Sequence, residues 1–194
     1  NLSDFPELGL KENSGIFQIF INFETQFKDP YLTKDTDGVE IKFIKDISTE
    51  NIRELTVPDE TEKLGPFIIK KEEFLSLPSA HSNCDLPKDH LFMKWNWDKV
   101  LESNERLWSV YNYAEGLYIE DKLISRVGGY APWIEKDQTP VCPVCQNRMK
   151  FICAIGTEDT RIDIGDDGYL FAFVCDFTTK CGGIEEPVLV IQTY

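Results

Sequence analysis

Two stretches of this chain are almost uninterruptedly apolar, residues 15–23 (GIFQIFINF) and 168–175 (GYLFAFVC). Both are strand-length and rich in β-branched and aromatic residues, the composition of strands buried on both faces or at the centre of a sandwich. Residues 39–44 (VEIKFI) instead alternate apolar and polar with period two, as a half-exposed strand does. Turn signals at Asp29-Pro30 and at 35–38 separate the first two strands, which are therefore expected to pair antiparallel across a long loop. Residues 1–14 read as an irregular lead-in, and 48–63 as an exposed, charged connection holding a short strand at 53–57. A short strand follows at 67–69. Residues 70–77 suit a helical turn or a strand equally, and 78–88, with Asn83, Asp85 and Pro87, read as loop. Apolar residues at 97, 100, 101, 107 and 108 recur near the 3.6 period, so 97–110 is the best helix candidate. Downstream, Gly128-Gly129 predicts a tight turn, 149–155 a strand, 156–167 a polar acidic loop, and 187–192 a closing strand. The expected class is mainly β (α+β), with one or two helices.

Four cysteines stand out in the last third. Cys142-Pro-Val-Cys145 puts two thiols in one turn, and Cys175-Asp-Phe-Thr-Thr-Lys-Cys181 returns a second pair after 29 residues. That is how a tetrahedral four-cysteine zinc site is assembled from two knuckles, although the second spacing is wider than the usual two to four. The competing reading makes Cys142 and Cys145 a redox pair or unliganded thiols. Cys153, mid-strand, reads as core. Cys84 shares a Pro-containing loop with His81 and His90, yet no orienting residue or helix N-terminus activates it, so a loop cysteine beside a histidine is the simpler account. Asp159, Asp163 and the run Gly165-Asp166-Asp167-Gly168 gather carboxylates that suit a cation or an acid–base pair, but equally a turn before a buried strand. Trp95, Trp97, Trp108 and Trp133 offer an aromatic patch or simply core.

Composition narrows the function classes. A hydrophobic fraction of 42% over 194 residues supports a substantial core, within one domain or two small ones. The formal charge of −14, from 34 acidic and 20 basic residues, repels phosphate backbones and favours a basic partner, and the bland alternative is that it only aids solubility. Nucleic-acid binding through the knuckles is further disfavoured because only Arg148, Lys150 and Lys180 lie near them. The start lacks a signal-peptide pattern and no apolar run reaches membrane-spanning length, so a cytoplasmic protein with reduced thiols and no membrane partner is expected. The first residue is Asn, which reads as a processed or trimmed product.

The two apolar strands also echo each other: glycine, an apolar residue two on, phenylalanine five on, with a further strand after each, at 39–44 and 188–192. A duplicated β unit explains this, with chance similarity between short strands as the competitor. Gly128-Gly129-Tyr130-Ala-Pro-Trp133, then Pro140-Val-Cys142-Pro-Val-Cys145, 149–155 and Gly165–Gly168 with its strand resemble the C-terminal repeat of the YwqG-like family of uncharacterised bacterial proteins. The order of Gly-Gly, Cys-x-x-Cys, aromatic strand ending in Cys, Cys181-Gly182 and final strand is similar also to programmed cell death protein 2 and its relatives. Residues 15–44 resemble the end of a first YwqG-like repeat; 60–120 have no counterpart. Where many members carry His-Lys-Ile before Gly-Gly, this chain has Ser125-Arg126-Val127, so no role of that histidine transfers.

The resemblance implies a pseudo-duplicated, antiparallel β-sandwich-like domain without established enzymology. It divides the chain into an incomplete first repeat (1–78), a helical or loop connection (79–124) and a second repeat with the zinc-knuckle pair (125–194). It also implies a binding role, as an immunity protein or client-specific chaperone. The expected function is a non-enzymatic, zinc-stabilised module binding a basic protein, with Cys142, Cys145, Cys175 and Cys181 as structural ligands. The alternative is a hydrolase-like enzyme using Asp166, Asp167 or His81 in a cleft.

Overall fold

The 168–175 stretch is the centre of the structure: in the computed structural model all eight of its residues are buried. The structure describes residues 4–10, 15–22, 25, 29–45, 124–160, 162–165, 167–176, 178 and 180–194. In chain order the strands are β1 (Ile16–Ile21), β2 (Tyr31–Leu32), β3 (Val39–Ile44), β4 (Arg126–Val127), β5 (Lys150–Gly156), β6 (Gly168–Cys175) and β7 (Gly183–Thr193). A 3-10 turn covers Pro6–Leu8 and a single helical turn, α1, covers Thr157–Thr160. The helix expected at 97–110, the strands at 53–57 and 67–69, the helical turn or strand at 70–77, and all but the last residue of the connection 79–124 lie outside the described residues. Among the described residues no helix is long and apolar enough to cross a membrane.

The fold is mainly β, with every named strand pair antiparallel. Five strands form one sheet in the order β2-β7-β6-β5-β4, and β1 and β3 form a separate two-stranded ribbon. β1 pairs with β3 as expected, and β6, the other strand of the sequence echo, pairs with β7, the strand that follows it. Their settings differ. β6 is flanked on both sides and covered on both faces, whereas β1 has one strand neighbour in the ribbon.

Side-chain alternation then sorts the sheet into two faces. Leu170, Ala172 and Leu189 point to one, where they meet Phe17, Ile19, Ile21, Val39 and Ile41 of the ribbon. In the ribbon the register sets Phe17 opposite Phe43, Ile19 opposite Ile41 and Ile21 opposite Val39, three apolar pairs on the side that packs down. Of the two settings expected for 15–23, burial on both faces does not hold: β1 packs one face on the sheet. The outer side faces solvent, Phe20 is 41% exposed, and the Lys42 ammonium lies 5.4 Å from its ring centroid. The apolar run here serves one buried face plus one outward ring, Phe20, that a cation from the neighbouring strand covers.

Tyr169, Phe171 and Phe173 point to the opposite face, beneath Ala131, Trp133, Cys142 and Met149. Trp133 stacks on Phe173 at 5.7 Å and 9°, and tilts against Phe171 at 4.7 Å. A register shift between Phe151 and Cys153 marks a bulge that turns consecutive residues Ile152 and Cys153 toward the same side, where both pack under Phe17. Short β2 and β4 form the sheet edges, and neither was foreseen: two residues carry no period. The 156–167 loop begins with α1, and β7 starts at Gly183 rather than at 187. β2 comes from within 1–78 yet completes the sheet of 125–194.

Candidate metal centre

The first cysteine pair sits in a closed hairpin. Met149 donates its N–H to the Pro140 carbonyl at 2.8 Å, Val141 and Arg148 form a bridge, and Cys142 donates its N–H to Asn147 at 2.9 Å. Gln146 donates to the Cys142 carbonyl at 2.9 Å and takes a left-handed φ of 59°, which turns the chain within the six residues. The second pair brackets the β6–β7 connection. Cys175 ends β6 opposite Gly183, after a register shift, and the Cys181 N–H donates to the Thr178 carbonyl at 3.2 Å. The five-residue spacing, the weak point of the motif in sequence, is the length of a turn between paired strands.

These turns bring all four sulfurs within 4.8 Å of one another. Cys145 and Cys175 are 3.4 Å apart and Cys142 and Cys181 3.8 Å, and none of the four is in a disulfide. A tetrahedral ion with metal–sulfur distances of about 2.3 Å requires sulfurs roughly 3.8 Å apart, so the donor set fits. Four cysteines can therefore hold a metal ion. Cys142 and Cys175 are buried in the aromatic cluster; Cys145 and Cys181 are half-buried. Each of the latter carries a side-chain partner. Asn147 donates its amide to Cys145 Sγ at 3.4 Å, and the Thr178 hydroxyl lies 3.1 Å from Cys181 Sγ. The Thr178 hydrogen bond, with those of the neighbouring thiols, outweighs desolvation and pulls the Cys181 thiol down to about 6.

Two polar groups missed in sequence hold the approach to the hairpin. Gln192 on β7, 4% exposed, accepts the N–H groups of Ile134 and Glu135 at 2.7 and 3.2 Å and donates to the Lys136 carbonyl at 3.0 Å. Asp137 comes next. Its carboxylate accepts the Thr139 N–H and hydroxyl at 2.8 and 2.7 Å and pairs with Arg148, whose rung closes the hairpin. Burial raises the Asp137 pKa, but these donors and the guanidinium outweigh it and hold the carboxyl below its ordinary range. The Asp137-x-Thr139 spacing is a readable turn signal. Gln192 has none, because a polar residue late in an apolar strand looks like an exposed one.

The remaining candidates separate. Cys153 packs among both clusters on the ribbon side, away from the four sulfurs, and burial pushes its thiol up to about 12. Trp133 is core at 6% exposure. Asp159 accepts the Ser125 N–H and hydroxyl at 3.0 and 2.8 Å, fastening the chain before β4 to α1. Asp163 and Asp167 are exposed, and Asp167 occupies a left-handed turn at φ 57°. Among the described residues the carboxylates join no metal-ligating group. Cys84, His81, His90, Trp95, Trp97, Trp108 and Asp166 lie outside the described residues. Of the basic residues beside the knuckles, Arg148 is paired with Asp137 and Lys150 donates to the Gly9 carbonyl at 3.3 Å.

No family model matches the chain, and no solved structure matches it. Over 51 residues it is 31% identical to a protein of Salmonella typhimurium (strain LT2) described as uncharacterized protein YpfL. That stretch is 26% of this chain and 12% of the relative, so the chain matches about an eighth of that relative's length.

Proposed function

We propose that the chain is a non-enzymatic, zinc-stabilised protein-interaction module whose acidic surface engages a basic protein partner. The closed thiolate set carries this reading: four sulfurs within 4.8 Å supply a complete tetrahedral shell. Zinc supplies a redox-inert staple in such a shell and has no open position at which to polarise a substrate or activate water. Placed between the end of β6 and the 140–149 hairpin, it would fasten that hairpin to the aromatic face. Choice of zinc follows from thiolate softness and tetrahedral spacing. The partner class follows from the formal charge of −14, and the likeness of 128–192 to YwqG-like proteins and to relatives of programmed cell death protein 2 supports binding over catalysis.

Elemental analysis of protein purified without added metal should give one zinc per chain, and Cys175→Ser should abolish it. Immobilised protein should retain basic proteins at low salt and release them as salt shortens the screening length from about 30 Å at 0.01 M to about 8 Å at 0.15 M. Absence of metal removes the zinc reading. Retention of only neutral or acidic proteins, or capture insensitive to salt, removes the partner reading.

A further inference from the structure

Resting on the zinc reading, we propose that this centre is also an oxidation site, where a peroxide-class oxidant converts the four thiolates to two defined disulfides, Cys145–Cys175 and Cys142–Cys181, and expels the ion. Three observations point there. The sulfur contacts at 3.4 and 3.8 Å each run between the two turns, joining one sulfur of the hairpin to one of the β6–β7 connection. Each contact couples a half-buried sulfur, Cys145 or Cys181, to a buried one, Cys175 or Cys142. Each half-buried sulfur also lies beside an exposed polar side chain, Asn147 or Thr178, so the polar edge of the centre is its solvent edge. An oxidant arriving from solvent therefore meets Cys145 and Cys181 first, with a buried thiolate already in contact to complete the reaction.

In each pair the half-buried thiolate attacks the peroxide O–O bond, giving a sulfenic acid and, after protonation, water. The buried thiolate then attacks the sulfenic sulfur, forming the S–S bond and releasing a second water once the hydroxide is protonated. Two peroxides and four protons thus convert the zinc tetrathiolate to two disulfides, one zinc ion and four waters. Both cross-links tie the same two turns that the ion ties, so the oxidised chain keeps the hairpin on the aromatic face. Cys153, half-buried on the ribbon side of the sheet, is not one of the four clustered sulfurs and enters neither link.

The test treats the protein as purified with hydrogen peroxide, follows zinc release with a chromogenic chelator, and maps disulfides by non-reducing tryptic mass spectrometry. Trypsin separates residues 137–148, 162–180 and 181–194, which hold the two hairpin cysteines, Cys175 and Cys181 respectively. Two equivalents of peroxide should release the zinc and join all three peptides. Cys145→Ser should then leave 137–148 joined to 181–194 only, and Cys142→Ser should leave it joined to 162–180 only. An internal Cys142–Cys145 link, the opposite pairing in the two variants, or sulfinic acids in place of disulfides overturns the proposal; where a variant does not fold, tandem fragmentation of the joined peptides between Cys142 and Cys145 tells the two pairings apart in the unsubstituted chain. The two readings fail separately. Zinc that peroxide does not release defeats the oxidation site and leaves the zinc reading standing, while metal-free protein that forms the two named links does the reverse.

Discussion

Replacing Gln192 with Leu removes three hydrogen bonds at once while keeping most of the side-chain volume. The amide accepts from Ile134 and Glu135 and donates to the Lys136 carbonyl, and it is 4% exposed. Each such bond contributes about 1 kcal/mol net, and a buried group left unpaired costs about 1–3 kcal/mol. Glu135 and Lys136 are exposed, so their backbone groups regain water, whereas the half-buried Ile134 N–H regains it incompletely. The sum is about 2 kcal/mol, or roughly 4–8 °C in melting temperature for a chain of this size. A second readout separates loosening of the 134–137 approach from general destabilisation. Leu189 is fully buried on the opposite face, and Leu189→Ala should cost about 2–5 kcal/mol. Under native conditions, transfer of metal to a chelator should quicken in Gln192→Leu and stay near the parent rate in Leu189→Ala, despite the larger loss of stability. A Gln192→Leu variant that loses less than about 0.5 kcal/mol, within the ordinary scatter of surface changes, refutes the tether. So does metal transfer no faster than in Leu189→Ala.

Three further outcomes follow from the same contacts. A Cβ at residue 168 would lie 2.6 Å from the Gln192 carbonyl oxygen and 2.8 Å from that of Ile164, both backbone atoms, so Gly168→Ala should cost about 3 kcal/mol in urea denaturation. Asp137 has a depressed folded-state pKa, so its contribution is present above the unfolded carboxyl pKa and is lost as pH falls through the folded one. The stability gap between the parent and Asp137→Asn should therefore be open at pH 7 and close below the ordinary carboxylate range, measured by denaturant midpoints at each pH. Cys153, with its thiol pushed up to about 12, should resist iodoacetamide in the native state at pH 8 and react only on unfolding, as peptide mass spectrometry would show.

How much was legible depended on whether a residue acts through its own period or through a partner distant in sequence. Residues 168–175 announced β6 because burial on both faces leaves no polar position to interrupt the run, and 39–44 announced β3 because one exposed face does. Burial on two faces and burial on one can nevertheless look alike. Residues 15–23 carry phenylalanine and isoleucine on both sides, and only the ribbon geometry, with Lys42 over Phe20, shows that one side is wet. The four cysteines were legible because ligand chemistry restricts residue type at every position. The Gln192 tether and the Asp137–Arg148 ion pair were not, although the Asp137-x-Thr139 turn is readable. The partners lie 56 to 58 residues away for Gln192 and 11 residues apart for the ion pair, distances over which sequence spacing constrains nothing.

The position of Cys175 would tie any metal ion held by the four cysteines to formation of the sheet. Its neighbours Phe173 and Val174 are 1% and 0% exposed, and Cys175 itself belongs to the cluster that contains Trp133, Phe171 and Cys142. A ligand at the end of a fully buried strand has little freedom to reorient, so its sulfur is placed by the packing of β6 between β5 and β7. The hairpin ligands have more freedom, and their placement needs Gln192, Asp137 and the 140–149 hydrogen bonds. The two halves of the centre therefore depend on different contacts: core substitutions around β6 act on it through global stability, and substitutions in the 134–148 segment through local opening. That asymmetry is what makes metal transfer, rather than unfolding alone, the measurement that distinguishes them.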